Sequence, residues 1–390
     1  MTAFTEIPIL DLSQSHEPAT KPQFLASLRH ALLEVGFLYI KNYGIPDSLT
    51  QDVIRQSRLL FDLPDEDKLR IEMKNSPHFL GYSRLANEIT KDRIDWREQI
   101  DLATELPAPG KDEPRYRWLR GPNLWPGEQA LPGFRDTFTE YIDRMSKVSM
   151  EFTSLVAESL GLQASAFDKY FDKDQQHKLK IVKYPDLGTL GEEATGQGVG
   201  PHKDSMLTSY LLQASDHKGL QVQNSEGGWI DCPPIPGTLV VAIGQGLEAL
   251  TRGVCVSTTH QVRGPVLAGG SDNRNANLQV QVISPPAGSG PRFSVPFFQG
   301  VSYDARFAEI DLPPHVLALK NRLRANKDDV EMTFKHSMFD HIGEATLLNR
   351  VKSHKDVAER WYPDLLAEVE KRKEVLRSQL TRPVESVATN

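Results

Sequence analysis

The sequence predicts a mostly β protein whose antiparallel core, a barrel or a jelly roll, is flanked by helices. From residue 178 to 300, short runs rich in β-branched and aromatic residues alternate with Gly, Pro, Asn and Asp. Before and after this region, apolar residues recur three or four positions apart, which is typical of amphipathic helices. The change of period along the chain is what predicts the fold class.

The opening third is predicted to mix helix and strand. Apolar residues at helical spacing indicate a first helix over about 20–35, which Gly36 ends as a C-terminal cap. The stretch Gly36-Phe37-Leu38-Tyr39-Ile40 has the composition of a strand. A turn at Gly44-Ile45-Pro46 then leads into a second helix.

The next region is predicted to be irregular and then helical. Residues 103–132 are rich in proline, which favours irregular structure. Between Phe134 and Val156 apolar residues fall three or four apart, and Gly161 follows the last turn. This pattern predicts the longest helix of the chain, with one apolar face that must pack on a sheet or another helix.

The β region is predicted to contain six strands, separated by turns and two longer loops. The strands are expected at 179–184, 204–212, 219–223, 238–243, 278–283 and 292–298. Two Gly-rich and weakly patterned segments, 187–200 and 263–277, are expected to be loops. After residue 313 the chain returns to helix, and the Lys- and Glu-rich segment 353–380 is expected to present a solvated helical face.

Composition excludes several classes of function. The 390 residues carry a net charge of −7 and no basic run, so neither nucleic acid nor a membrane surface is an expected partner. Only Cys232 and Cys255 are present, too few for a disulfide framework or a thiolate zinc site. The N-terminus has no basic and apolar leader, and no apolar run is long enough to span a membrane. We therefore expect a cytoplasmic protein that acts on a small-molecule substrate.

One constellation in the β region has the composition of an iron site. In Pro201-His202-Lys203-Asp204, residues two apart on a strand share a face, so the imidazole and the carboxylate can point together. An isolated pair of this kind is more often a satisfied pair in a strand. His260 lies where a later strand can return beside the first, and two imidazoles with one carboxylate form the facial triad of non-haem Fe(II) oxygenases. We predict that His202, Asp204 and His260 bind Fe(II).

A second group is suited to hold a carboxylate. Arg292 and Ser294 are two apart on one predicted strand, and a guanidinium with a neighbouring hydroxyl fits a carboxylate in a dry pocket. Tyr184 is a candidate for a further hydrogen bond, although a Tyr before Pro is also an ordinary core residue.

Taken together, these motifs resemble the isopenicillin N synthase-like family of Fe(II)/2-oxoglutarate dioxygenases over nearly the whole chain. The family's H-x-D, distal His and R-x-S fall on His202, Asp204, His260, Arg292 and Ser294. Further similarity lies in Ile7-Pro8-Ile9-Leu10-Asp11, Gly44-Ile45-Pro46, Gly81-Tyr82, Asp95-Trp96-Arg97-Glu98 and Pro233-Pro234-Ile235-Pro236-Gly237. The resemblance implies a double-stranded β-helix, a jelly-roll core in which the triad binds Fe(II), and Arg292, Ser294 and Tyr184 bind the distal carboxylate of 2-oxoglutarate, with O2 as the oxidant.

The resemblance also suggests a division of the chain. Residues 1–120 correspond to an α/β N-terminal region that wraps the core, 121–310 to the catalytic core with its supporting helix, and 311–390 to a C-terminal helical segment. The sequence departs from the family pattern at several positions, among them Ala242, Gln245 and Gln261 near the distal His. Val182 stands where many members have an Asn that binds the cosubstrate, and residues 263–281 resemble an insertion before the strand of Arg292.

The predicted activity is oxidation of a small organic substrate by hydroxylation, desaturation or ring formation, with release of succinate and CO2. We expect a largely apolar secondary-metabolite intermediate as substrate and a monomer without an obligate protein partner. Three alternatives stay open: an iron oxidase of the isopenicillin N synthase type that needs no 2-oxoglutarate, a catalytically silent ligand-binding barrel, and a zinc hydrolase, which would leave the carboxylate-binding pair unused.

Overall fold

The computed structural model describes residues 3–90, 93–172, 175–186, 197–263, 288–306, 312–318, 320 and 342–380. The strands are β1 (Ile9–Asp11), β2 (Phe37–Lys41), β3 (Gly81–Ser83), β4 (Ile89–Thr90), β5 (Arg93–Ile94), β6 (Glu98–Ala103), β7 (Lys178–Tyr184), β8 (Gln197–His202), β9 (Thr208–Gln213), β10 (Leu220–Gln223), β11 (Trp229–Asp231), β12 (Thr238–Ile243), β13 (His260–Arg263) and β14 (Arg292–Phe298). The helices are α1 (Lys21–His30), α2 (Asp47–Phe61), α3 (Asp65–Arg70), α4 (Phe134–Ser159), α5 (Gln245–Leu250), α6 (Pro314–Leu317), α7 (Ile342–Ser353), α8 (Lys355–Trp361) and α9 (Pro363–Leu380).

Two sheets form the core. The larger has the strand order β1-β2-β12-β9-β14-β7-β6-β3 and is antiparallel except for the β1–β2 pair, and the smaller has the order β11-β10-β13-β8. Apolar side chains from both sheets, among them Val182, Val240, Val199 and Val262, pack into one buried cluster. The two sheets therefore face each other, and the predicted mostly β architecture with flanking helices is confirmed.

Strands from the N-terminal part of the chain form both edges of the larger sheet. On one side β2 pairs with β12, and β1 lies outside it. On the other side β6 pairs with β7, and β3 lies outside it. The predicted strand over 36–40 is thus an integral part of the core sheet.

Helices cover the outer face of the larger sheet. The predicted long helix is α4, which packs on α1 and α2, and Phe152 on it contacts Tyr210 of β9 edge to face at 5.9 Å between ring centroids. The first predicted helix continues past α1 as a single wider turn and ends at Gly36, whose φ of 70° is left-handed. These two helix predictions are confirmed.

Some boundaries in the β region were predicted incorrectly. The loop expected over 187–200 is wrong at its end, because residues 197–202 form β8, and β9 begins at Thr208 rather than at 204. Gly198 explains why a Gly-rich run is a strand here: a Cβ on it would lie 2.8 Å from the Tyr184 ring, so only glycine allows the two strands to approach. The short strands β11 and β13 were not predicted individually. The strand expected at 278–283 and most of the 263–281 segment lie outside the described residues.

The C-terminal helices pack on the core and on one another. Leu366 and Val369 of α9 are buried with residues of α7 and α8, while ion pairs such as Arg372–Glu368 lie on the exposed side. The expectation of a solvated face is therefore right for one side of α9 only. Across the described ranges, we find no helix with the length and apolar character required to cross a membrane.

Candidate functional site

The three predicted metal ligands lie together at the ends of two neighbouring strands. His202 ends β8 and His260 begins β13, and the two residues face each other directly in the antiparallel register. Asp204 lies just past β8 rather than on it, which corrects the prediction that both residues of the motif share a strand. Its Oδ1 lies 3.7 Å from His202 Nε2 and 3.8 Å from His260 Nε2.

The donor set has the spacing of a metal site. One ligand atom from each of the three residues lies within 4.8 Å of the other two. Two imidazole nitrogens and a carboxylate oxygen on one side of an ion suit non-haem Fe(II) and leave coordination positions for other ligands. The residues present therefore fit the ion that the sequence predicts.

Backbone and side-chain partners orient these ligands. His202 Nδ1 lies 2.8 Å from the carbonyl of Gly200, and His260 Nδ1 lies 3.3 Å from that of Thr258. A carbonyl accepts only, so each Nδ1 carries the proton and each Nε2 keeps its lone pair for a metal. The hydroxyl of Ser209 on β9 donates to Asp204 Oδ2, which leaves Oδ1 directed at the imidazoles.

Electrostatics also keep the imidazoles in the ligating form. Burial lowers the pKa of His202 below its ordinary value, and the neighbouring His260 lowers it further, while the Asp204 carboxylate opposes both. A neutral imidazole is the form that binds a metal. The site is therefore prepared for an ion at neutral pH.

The predicted carboxylate-binding group lies on the larger sheet. Arg292 of β14 is paired with Tyr184 of β7, and the guanidinium carbon lies 5.0 Å from the centroid of the Tyr184 ring. Ser294 is paired with Val182 in the same register, and Ser294, Val182 and Tyr184 line the cavity that the triad also lines. The structure thus brings Ser294, Val182 and Tyr184 to the cavity of the triad, and it places Arg292 against the Tyr184 ring.

The guanidinium of Arg292 makes few hydrogen bonds within the described residues. It is almost completely buried, its Nη2 makes one long contact of 3.4 Å with Gln213 Oε1, and its Nε and Nη1 have no hydrogen-bond acceptor within the described residues. Burial lowers the pKa of Arg292, whereas the neighbouring Tyr184 raises it. Buried donors of this kind are rarely left unpaired, so the guanidinium fits an anion that binds beside it.

The cavity between the sheets has a volume of about 360 Å³. Much of its lining is apolar, with side chains from both sheets that include Phe37, Leu211, Leu220, Val240 and Val262. This size and lining suit a small organic molecule.

One wall of the cavity is charged, which sequence reasoning did not anticipate. Glu88 accepts a hydrogen bond from Arg97 and lies 3.5 Å from Lys180 Nζ and 3.7 Å from His354 Nε2. Burial lowers the pKa of His354 to about 4, and Arg350 lowers it as well, whereas Glu88 raises it. A sequence signal for this wall exists in Lys178-Leu179-Lys180-Ile181-Val182-Lys183-Tyr184, where every second residue faces the cavity.

Comparisons with known proteins agree with this geometry. Residues 7–128 match the family described as non-haem dioxygenase in morphine synthesis N-terminal, and residues 176–300 match the 2OG-Fe(II) oxygenase superfamily. A 2-oxoglutarate-dependent dioxygenase frbJ from Dothideomycetidae sp. is 59% identical over 95% of this chain and 96% of its own length. The chain belongs to the 2OG-Fe(II) oxygenase superfamily.

Other members support the same placement of this oxygenase. A 2-oxoglutarate-dependent dioxygenase of Gibberella zeae is 40% identical over 93% of each chain. The crystal structure of a full-length Neurospora crassa protein in complex with alpha-KG and thymine has 25% sequence identity and a TM-score of 0.63, and the match covers 81% of this chain and 92% of that one. The protein is a non-haem dioxygenase whose cofactors are Fe(II), 2-oxoglutarate and O2, with the jelly-roll core of that superfamily.

Proposed function

We propose that this oxygenase binds Fe(II) through His202, Asp204 and His260 and binds 2-oxoglutarate through Arg292, Ser294 and Tyr184. The observation that carries the proposal is the convergent donor set in a cavity that Tyr184 and Ser294 also line, together with the buried Arg292 guanidinium against Tyr184, two of whose nitrogens lack acceptors among the described residues. The bound iron, with 2-oxoglutarate and O2, supplies the oxidation of a substrate C–H bond while succinate and CO2 are released.

The chain's own residues orient the iron ligands and the cosubstrate and keep water out of the site. The two Nδ1 hydrogen bonds to carbonyls fix the imidazole rings, and Ser209 fixes the carboxylate of Asp204. Arg292 and Ser294 would fix the far end of the cosubstrate, so that its keto acid end reaches the triad. The apolar residues between the sheets exclude water from the reacting groups.

The proposed ligands can be tested by measuring iron content and succinate release in parallel. His202→Ala and His260→Ala should lose stoichiometric iron and 2-oxoglutarate turnover, because two protein ligands hold the ion too weakly. His30→Ala, which changes an exposed histidine on α1, is the matched control and should keep both. Full iron content in either triad variant would refute the proposed ligand set.

We further propose that the protein acts as a monomer in the cytoplasm on a small secondary-metabolite intermediate. Both cysteines are buried and unpaired, as expected in a reducing compartment. A cavity of about 360 Å³ limits the bound portion of the substrate to a small molecule. Light scattering of the iron-loaded protein tests the oligomeric state, and a dimer mass would refute that part of the proposal.

A further inference from the structure

The Lys178 end of the charged wall lies far from the residues that we assign to 2-oxoglutarate. Lys178 and Tyr184 are on the same face of β7, six residues apart, so about 20 Å of strand separates them. A diacid with a five-carbon chain is much shorter than that. The cations at the Lys178 end are therefore not part of the cosubstrate site.

Arg350 of α7 presents unused donors at this wall. Its Nη1 lies 3.4 Å from Asp101 Oδ1 and 3.2 Å from His354 Nε2. Its Nε and Nη2 have no acceptor in the part of the chain that the structure describes. α7 turns the same face to the cavity at Thr346, Asn349 and Ser353, positions spaced for one side of a helix.

Lys178 also has capacity to donate. Its Nζ donates to the carbonyl of Leu119 at 2.9 Å and to Gln176 Oε1 at 2.7 Å. An ammonium has three hydrogens, so one remains for a ligand. Burial lowers the pKa of Lys178, and the nearby Arg350 lowers it further, so an anion beside these two groups would stabilise both charges.

The carboxylates at this wall are already satisfied by the protein. Glu88 is bound by Arg97, Gln99 and Lys180, and Asp101 is bound by Gln99, Lys180 and Arg350. The four bases Arg97, Lys178, Lys180 and Arg350 face three buried acids, Glu88, Asp95 and Asp101. Among these described groups, the bases outnumber the acids by one when Lys178 is protonated, and the unused groups are donors.

The register of the larger sheet relates this wall to the metal site. Lys178 is paired with Phe298 of β14, and Phe298 is paired with Ser209 of β9, which donates to Asp204. Two strand spacings, about 10 Å, therefore separate Lys178 from the strand position beside the metal ligands. Apolar side chains such as Phe298 line the space between them.

From this arrangement we propose that the substrate carries a carboxylate, bound by Arg350 and Lys178, on a largely apolar body whose oxidised carbon lies about 10 Å away beside the triad. The inference rests on the proposed function and names the substrate class for it. It retains the expected apolar character for the substrate body and adds a charged end.

Calorimetric titration can test the carboxylate preference with simple probes. The protein is loaded with Fe(II) and 2-oxoglutarate under nitrogen and titrated with linear aliphatic acids of increasing chain length and with the primary amides of the same chains. The variants are Arg350→Gln, Lys178→Gln and Arg350→Lys, with Lys355→Gln at an exposed position of α8 as the matched control. 2-Oxoglutarate affinity is measured first for every protein.

We expect the best acid to bind wild type and Lys355→Gln at least about tenfold more tightly than its amide. The preference should disappear in Arg350→Gln, weaken in Lys178→Gln and return in part in Arg350→Lys, with 2-oxoglutarate affinity unchanged throughout. Equal binding of acid and amide at every chain length in wild type, or an unchanged preference in Arg350→Gln, would overturn the inference. Failure of the wild-type protein to bind 2-oxoglutarate would instead overturn the proposed function.

Discussion

Replacement of Arg292 should separate cosubstrate binding from stability. Its guanidinium is buried, and two of its nitrogens have no acceptor within the described residues. When 2-oxoglutarate binds beside it, removal of the cation leaves a buried carboxylate unpaired, which costs about 2–5 kcal/mol. Since 1.4 kcal/mol corresponds to a factor of ten, Arg292→Met should weaken 2-oxoglutarate binding by roughly 30-fold to several thousandfold.

The same substitution should not destabilise the ligand-free protein. An unpaired buried donor costs about 1–3 kcal/mol, and a methionine of similar length removes that cost while it keeps much of the contact with the Tyr184 ring. The melting temperature of ligand-free Arg292→Met should therefore equal or exceed that of wild type, although the loss of the cation–π contact offsets part of the gain.

Two measurements on the same samples test this reasoning. Anaerobic calorimetry with Fe(II) present gives the dissociation constant of 2-oxoglutarate, and differential scanning calorimetry gives the melting temperature. Arg58→Met is the control, because Arg58 approaches the neighbouring Phe293 ring at 5.9 Å from outside the described cavity lining. A 2-oxoglutarate affinity in Arg292→Met within about threefold of wild type would refute the assignment.

Three further predictions concern other parts of the structure. Ser209→Ala should weaken iron binding by about 10- to 100-fold, measured by competition with a chelator, because it removes the donor that orients Asp204; affinity equal to wild type would contradict that role. His177 is buried, accepts a hydrogen bond from the Gly300 amide at Nδ1, and has a pKa that burial lowers to about 4. As the pH falls from about 6.5 to about 4, His177 becomes protonated in the unfolded chain but stays neutral in the folded chain. The free energy of unfolding of wild type should therefore fall by roughly 3 kcal/mol in this window. In urea titrations, the stability of His177→Gln should depend less on pH. Gly36→Ala should destabilise the fold by more than about 1 kcal/mol in the same assay, because φ is 70° and a Cβ would lie 2.3 Å from the Val256 carbonyl; unchanged stability would show that the segment relaxes freely.

Much of the site could be predicted from spacing alone. Residues two apart in H-x-D and R-x-S imply side chains that can act together, and the paired register of His202 with His260 shows how a distant imidazole joins them. Asp204 shows the limit of this reasoning, since it reaches the site from beyond the end of the strand. Spacing could predict which groups converge but not the local backbone that brings them together.

The strand at 197–202 could not be recognised because its glycines reflect a distant contact. Gly198 is required by the approach of the Tyr184 ring, and nothing within the segment itself indicates that neighbour. The cavity-facing side of α7 was not predicted from the sequence, for a related reason. Polar residues on a helix normally face water, whereas Asn349 and Arg350 line the charged wall of the cavity. In both cases the tertiary partner, not the local sequence, gives the pattern its meaning.

The position of β2 in the larger sheet has a consequence for how the chain folds during synthesis. Its partner β12 begins about 200 residues later, so at about 5–20 residues per second the ribosome needs some 10–40 s to deliver it. Throughout that interval the nascent strand Phe37–Lys41, which is apolar and almost wholly buried in the finished protein, can pair only with the short strand β1, and its other edge has no partner. We expect this delay to make the protein depend on chaperones during expression, and slower translation should lengthen the period in which incomplete chains aggregate.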